Sequence, residues 1–212
     1  MRIPLRLIIA TLLITSSGCT KRSLEIHPVG DSYFPLSVGN RWIFEFRAPN
    51  GATIPGPVRR DTLEIMSHVH VNGHDYYSVR SSWPGLYGRA LWLERLDNGN
   101  LFWSGAPNSP GGSQYLLFDA EVGQRWSVGE TFNDCLHSLQ LLDDYAAVTT
   151  TLGRFDGARE IGGGWVDCTD FGWAADFAKG VGPVRWQVTT IAGPTNWLLV
   201  EARVEDDASS RE

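Results

Sequence analysis

The chain reads as all-β, an antiparallel meander forming a curled sheet or open barrel, and three observations predict this. Its 212 residues include 9 Trp, 9 Phe and 6 Tyr against 2 Met, with 23 Gly and 11 Pro, a balance of strand formers and turn formers. Short alternating apolar stretches are separated by turn signals, and no segment sustains a helical period, although Phe171 to Ala178 has room for one helical turn. Third, Val38-Gly39-Asn40-Arg41-Trp42 recurs as Val122-Gly123-Gln124-Arg125-Trp126, with Phe34 matched by Phe118, at a constant offset of 84 residues. Each copy opens a run of strand-like segments, so the domain at 33–205 divides into two similar halves, about 33–112 and 113–205. A meander this long must curl or close to protect its edges.

Taken in order, the chain begins with Arg2 and Arg6, the apolar run Leu7 to Ile14, and the small residues Thr15-Ser16-Ser17-Gly18 before Cys19. This is the layout of an export signal, and its apolar run is too short for a permanent membrane span. Thr15 to Cys19 resembles the bacterial lipobox, in which the Cys becomes the lipid-modified first residue of the mature protein. Residues 1–18 are then a lipoprotein signal peptide, and Cys19 carries the acyl anchor (palmitate or a similar chain). Thr20 rather than Asp after that Cys implies, by resemblance to Gram-negative lipoproteins, the outer membrane with the domain facing the periplasm. Residues 19–32 form a tether, and residues 206–212 a frayed polar tail. Removing Arg2 and Arg6 with the leader moves the net charge from −6 to −8. No basic cluster remains to bind nucleic acid.

From Trp42 onward the strands follow one another. Thr62 to Val71 alternates, placing Leu63, Ile65, Val69 and Val71 on one face, and Asn72-Gly73 turns it into His74 to Val79. Asp97-Asn98-Gly99-Asn100 joins Leu91–Leu96 to Leu101–Trp103, and Trp92 and Trp103 are placed to pair across that hairpin. Cys135–Leu142 and Ala147–Leu152 are strand candidates with Asp143-Asp144 near the turn between them. Phe155–Ile161 follows and ends at Gly162-Gly163-Gly164, which reads as a turn or bulge. Val184–Ile191 and Trp197–Val204 close the series.

Tyr33-Phe34-Pro35-Leu36, followed by Gly39 and Trp42, and Lys179-Gly180-Val181-Gly182, followed by Val184, resemble a loose group of exported bacterial lipoproteins. Leu152-Gly153-Arg154-Phe155 keeps the Gly and Phe of a third motif of that group, Pro-Ala-Gly-x-Phe. The resemblance covers most of the mature chain. Because these are turn and core residues, it implies a shared antiparallel β fold and carries over no activity and no site residue.

Chemistry-bearing candidates are few. With Cys19 lipidated, Cys135 and Cys168 remain as an even pair in an oxidising compartment and read as a structural disulfide, with two buried thiols as the alternative. His68, His70 and Asp75 share one face of the Asn72-Gly73 hairpin, with His74 on the other. They are at most a two-His-one-carboxylate metal site, and the adopted reading is a solvated polar face opposite Leu63, Ile65 and Val69. Most of the nine Trp read as core. Trp165 and Trp173, in a Gly-rich region, are the candidates for a ligand-binding platform. No Gly-x-Ser-x-Gly, His-Glu-x-x-His or phosphate-cradling loop occurs, and the acidic pairs Asp143-Asp144 and Asp167/Asp170 read as turn residues. No cofactor is expected, and an enzyme is not the favoured class. The favoured function is a non-catalytic binding or structural role at the envelope, its partners the membrane and an envelope protein or hydrophobic small molecule. The alternatives are a carrier or chaperone holding a hydrophobic ligand in the concave face, a hydrolase using carboxylates or the His hairpin, and a carbohydrate-binding module.

Overall fold

Alternation of apolar and polar residues, broken by Gly-containing turns, yields twelve strands and no helix among the described residues. The first six are β1 (Arg41–Arg47), β2 (Arg60–Val71), β3 (His74–Ser81), β4 (Leu91–Arg95), β5 (Leu101–Ser104) and β6 (Ser113–Leu116). The second six are β7 (Arg125–Ser127), β8 (Ser138–Thr150), β9 (Gly153–Gly164), β10 (Phe171–Ala178), β11 (Gly182–Thr190) and β12 (Gly193–Arg203). The structure, a computed structural model, describes residues 26, 28–48, 56–81, 91–104, 106–107, 113–128, 138–164, 171–191 and 193–205. All twelve strands form one antiparallel sheet in the order β6-β5-β4-β3-β2-β1-β12-β11-β10-β9-β8-β7. The chain enters at the centre of the sheet, runs out to one edge, crosses through residues 117–124 to the other edge, and returns. That crossing is short, so the sheet must curl until β6 and β7 approach. No ladder joins them among the described residues, but Trp126 Nε1 donates to the Tyr115 carbonyl at 3.1 Å across the seam.

The two Val-Gly-x-Arg-Trp stretches build the same turn at the starts of β1 and β7. Gly39 and Gly123 have φ of 93° and 86°, a region that an L side chain rarely adopts. Gly39 N–H donates to the Ile65 carbonyl at 3.0 Å, and Gly123 N–H to the Leu141 carbonyl at 2.7 Å. In return Ile65 N–H reaches the Asn40 carbonyl at 2.9 Å, and Leu141 N–H the Gln124 carbonyl at 3.3 Å. The matched Phe34 and Phe118 both pack on Phe177, at ring centroid distances of 6.0 and 5.1 Å. The core therefore lies between the concave face of the sheet and these two openers. It includes Trp42, Phe44, Phe177 and Trp186, all fully buried.

The two stretches that carry the lipoprotein resemblance meet in space. Trp42 Nε1 donates to the Val181 carbonyl at 2.7 Å. Gly182 lies so close to the indole that a Cβ there would fall 2.9 Å from Trp42 Nε1. The end of the expected tether docks on the same turn, with Val29 N–H on the Gly180 carbonyl and Gly180 N–H on the Ser32 carbonyl, each at 2.8 Å.

Several expected elements take a different form. β2 does not keep one alternation, because its register against β3 shifts between Ile65 and Ser67. An extra residue reverses the facing of everything beyond it. Val69 and Val71 therefore leave the face of Leu63 and Ile65, and His68 and His70 take their place. Asp143-Asp144 is not at a turn: β8 continues through it, with register shifts between Leu141 and Val148 that absorb the polar residues. Gly162-Gly163-Gly164 is neither turn nor bulge but the end of β9, paired residue for residue with Ala174, Trp173 and Gly172. Phe171–Ala178 is strand throughout. Trp92 and Trp103 do not face each other, since Trp92 pairs with Ser104 and Leu93 with Trp103, which puts the two indoles on opposite faces.

Candidate functional site

Directly opposed residues on neighbouring strands share a face. One row on the outer face therefore runs Arg125–Gln140–Gly162–Ala174–Gln187–Asn196 across β7 to β12. The row beside it contains Ser138, Gly172 and Thr189. Three small residues in the middle of long side chains leave a trough of about 410 Å³. Its walls, on β8 and β11, stand three strand spacings apart, about 14 Å. On one wall Arg125 Nε donates to Gln140 Oε1 at 2.6 Å, which orients the Gln140 amide nitrogen outward. On the other, Gln187 Nε2 donates to Asn196 Oδ1 at 3.0 Å and leaves the Gln187 amide oxygen as an acceptor. Amides and a guanidinium in such an arrangement are groups suited to hydrogen-bonding and orienting a ligand.

Beside the trough lies a row of charge. Asp176 is only 1% exposed and pairs with Glu160 and Arg185 on the flanking strands. Arg185 Nε donates to Asp176 Oδ2 at 2.5 Å and its Nη2 to Oδ1 at 3.1 Å, with a longer bond of 3.3 Å to Glu160. Burial pushes the Asp176 carboxyl up to about 6, against the pull of Arg185 and with help from Glu160 and Asp143. With both oxygens bonded, this carboxyl joins β10 to β11.

Across the two-residue Asn72-Gly73 turn, Val71 lies opposite His74, His70 opposite Asp75 and His68 opposite Tyr77. His68 Nε2 and His70 Nδ1 meet the same oxygen of Asp75, at 2.7 and 2.9 Å, and these two bonds hold the Asp75 carboxyl below the usual range. His74 turns to Glu94 at 2.6 Å. The face they occupy is the opposite of the one anticipated. The bulge in β2 places His68, His70 and Asp75 on the face of Leu63, Ile65, Tyr77 and Val79, where the His68 ring stacks on Tyr77 at 4.7 Å. Among the described residues no three His, Cys, Asp or Glu side chains are disposed to hold a metal ion.

Of the other candidates, Cys19, Cys135, Cys168, Trp165, Asp167 and Asp170 lie outside the described residues. Trp173 is not an exposed platform. Its ring is buried in the core, edge-on to Trp186 at 4.8 Å, while its backbone runs along the trough floor. The concave face, where a carried ligand would have to lie, is occupied by the core aromatics. Sequence reasoning missed Arg125, Gln140 and Gln187 as a group, because they come from three strands far apart in the chain. The available signal was the run Gly162-Gly163-Gly164 with Gly172-x-Ala174: small residues inside strands mark a close approach.

No protein-family model matches the chain, and no curated protein sequence matches it. Among solved structures it is similar to a candidate lipoprotein from Parabacteroides distasonis, at 10% identity and TM-score 0.44, covering 82% of this chain and 99% of that one. It is also similar to a candidate exported protein with YmcC-like fold from Bacteroides fragilis, at 11% identity and TM-score 0.48, with the same coverage. A third similarity is to the MucA/MucB complex of Pseudomonas aeruginosa, at 12% identity and TM-score 0.32, covering 82% of this chain and 54% of that one.

Proposed function

We propose that this chain is an exported bacterial cell-envelope protein, anchored by lipid on Cys19 and facing the periplasm from the outer membrane, with a non-catalytic binding role. The observation that carries the location is the series Arg2, Arg6, Leu7–Ile14 and Thr15-Ser16-Ser17-Gly18-Cys19. The binding role is supported by the outer trough, whose walls carry hydrogen-bonding groups in fixed orientations. An oxidising compartment also makes Cys135–Cys168 a disulfide in this reading. The flanking strands support that pairing: β8 starts three residues after Cys135, β9 ends four residues before Cys168, and β8 and β9 are hydrogen-bonded neighbours.

Intact mass spectrometry of the protein purified from fractionated bacterial membranes tests this directly. The expected result is an outer-membrane protein lacking residues 1–18, heavier by its acyl chains and lighter by two hydrogens that reduction restores. Cys19→Ser should lose the acyl mass and the membrane association together. An unmodified, soluble wild-type protein would overturn the anchored reading.

A further inference from the structure

We propose that the outer trough is a glycan site that takes an extended oligosaccharide bearing a carboxylate, with Arg125 receiving the acid; this assignment rests on the binding role proposed above. Three features of the trough select this chemistry.

The first is its emptiness. Gly162 has a packing reason to be glycine, since a Cβ there would lie 2.5 Å from Leu142 Cδ1 and 3.0 Å from the Trp173 carbonyl oxygen. Gly172 has no such reason. Its φ is not in the left-handed region, and among the described residues a Cβ would meet nothing closer than Thr189 Cβ at 3.6 Å, an ordinary contact. A β-branched residue would suit this strand position better than glycine does. What glycine preserves there is the open floor.

The second is the kind of partner the floor accepts. β9 and β10 are paired on both sides along the trough, so their backbone groups are spent in the ladder. A peptide cannot dock here by adding a strand, and recognition falls to side chains. Those side chains offer a donor from Gln140, an acceptor from Gln187, and hydroxyls from Ser138 and Thr189. A sugar hydroxyl is donor and acceptor at once and satisfies both walls, whereas a bare phosphate would meet the Gln187 oxygen unfavourably. Leu142 and Ala174 supply apolar surface for the C–H face of a sugar ring.

The third is charge. In a chain of net charge −6, the described residues that line the trough include no Asp or Glu, and the one charged residue among them is Arg125. The terminal nitrogens of Arg125 have no partner among the described residues, since the bond to Gln140 uses Nε. A guanidinium with both terminal nitrogens available matches a carboxylate in two-pronged geometry.

The test is calorimetric titration of the full-length chain in detergent with three probes: tetragalacturonate, its methyl ester and hexaglutamate. Tetragalacturonate should bind, and the ester about tenfold more weakly or worse, because it loses a charge-assisted hydrogen bond. Gly172→Val should weaken binding at least tenfold with an unchanged or higher melting temperature. Arg125→Gln, an exposed change on an edge strand, should cost about tenfold and abolish the preference for the acid over the ester. Three results would overturn the assignment: no binding of tetragalacturonate, hexaglutamate bound as tightly, or full affinity in Gly172→Val. A wild-type protein that carries its acyl mass yet binds no glycan refutes this assignment and leaves the envelope reading standing. Binding by a protein without the acyl mass does the reverse.

Discussion

Two turns of the same sequence pattern, at Val38–Trp42 and Val122–Trp126, end in unequal surroundings. Both use a left-handed glycine, both exchange hydrogen bonds with the following strand, and both are followed there by a break in register, after Ile65 in β2 and after Leu141 in β8. The first opens β1, which is paired on both sides, by β2 and by β12. The second opens β7, which among the described residues is paired only with β8 and faces the seam. The indoles follow suit. Trp42 is sealed against Val181 in the centre of the core, whereas Trp126 reaches across the seam between the two edges to the Tyr115 carbonyl. Local sequence sets the turn, and position in the sheet sets what the turn is worth.

The sharpest way to break this comparison is to truncate the two indoles. Trp42→Ala should cost about 5 kcal/mol, at the top of the range for a buried aromatic, because no wall is free to collapse into the cavity. Trp126→Ala should cost about 3 kcal/mol, since the seam beside it can relax. Urea denaturation midpoints compare them, and a Trp126 variant as damaged as the Trp42 variant would mean the seam is as rigid as the sheet centre.

The residues at the third position of the two turns extend the contrast. Asn40 is fully buried, donates to the Pro35 and Glu205 carbonyls at 3.1 and 3.3 Å, and accepts from Glu205 N–H at 2.7 Å. It ties the start of β1 to the end of the described chain. Its counterpart Gln124 is exposed, and its side-chain amide oxygen accepts from Glu121 N–H at 3.0 Å. Asn40→Ala should therefore cost about 3 kcal/mol by stranding buried backbone groups, and Gln124→Ala about 0.5 kcal/mol. Equal losses in melting temperature would show that burial does not separate the two turns.

Much of this was legible in the sequence, and the exceptions share one cause. The all-β class, the Asn72-Gly73 hairpin and the buried roles of Trp42 and Trp126 follow from composition, turn residues and repetition, all of which are local signals. The bulge after Ile65 is not local. An apolar-polar alternation looks unbroken when Met66 is simply the next residue, and only pairing with β3 reveals that it is extra. That one insertion moved His68 and His70 to the core side of the sheet. The glycines of β9 misled in the same manner, because glycine signals a turn in isolation and a floor only when the neighbouring strands are known. The trough itself joins β7, β8 and β11 and had no signature in any one of them.

The smallest effect is a change of slope with pH, and it contrasts the acids of the two halves. Asp75 lies in the open, and its bonds to two imidazoles lower its carboxyl below 3.8. The unfolded chain therefore takes up this proton first as pH falls. The stabilisation from Asp75 is complete above about pH 4 and is lost as pH drops through the folded value. Asp176 is buried, and its carboxyl rises from 3.8 to about 6. Here the unfolded chain releases its proton first as pH rises, so stability from this group falls between about pH 4 and 6 and is level above that. The two acids thus tilt the stability curve in opposite directions on either side of pH 4. Measured as urea midpoints from pH 3 to 7, Asp75→Asn should flatten the acid limb alone. Asp176→Asn should flatten the limb from 4 to 6 alone, while the loss of its charge leaves Arg185 with Glu160 as its remaining acidic partner. If the Asp176 variant keeps the wild-type slope between pH 4 and 6, Arg185 outweighs burial at that site and the carboxyl is ionised throughout.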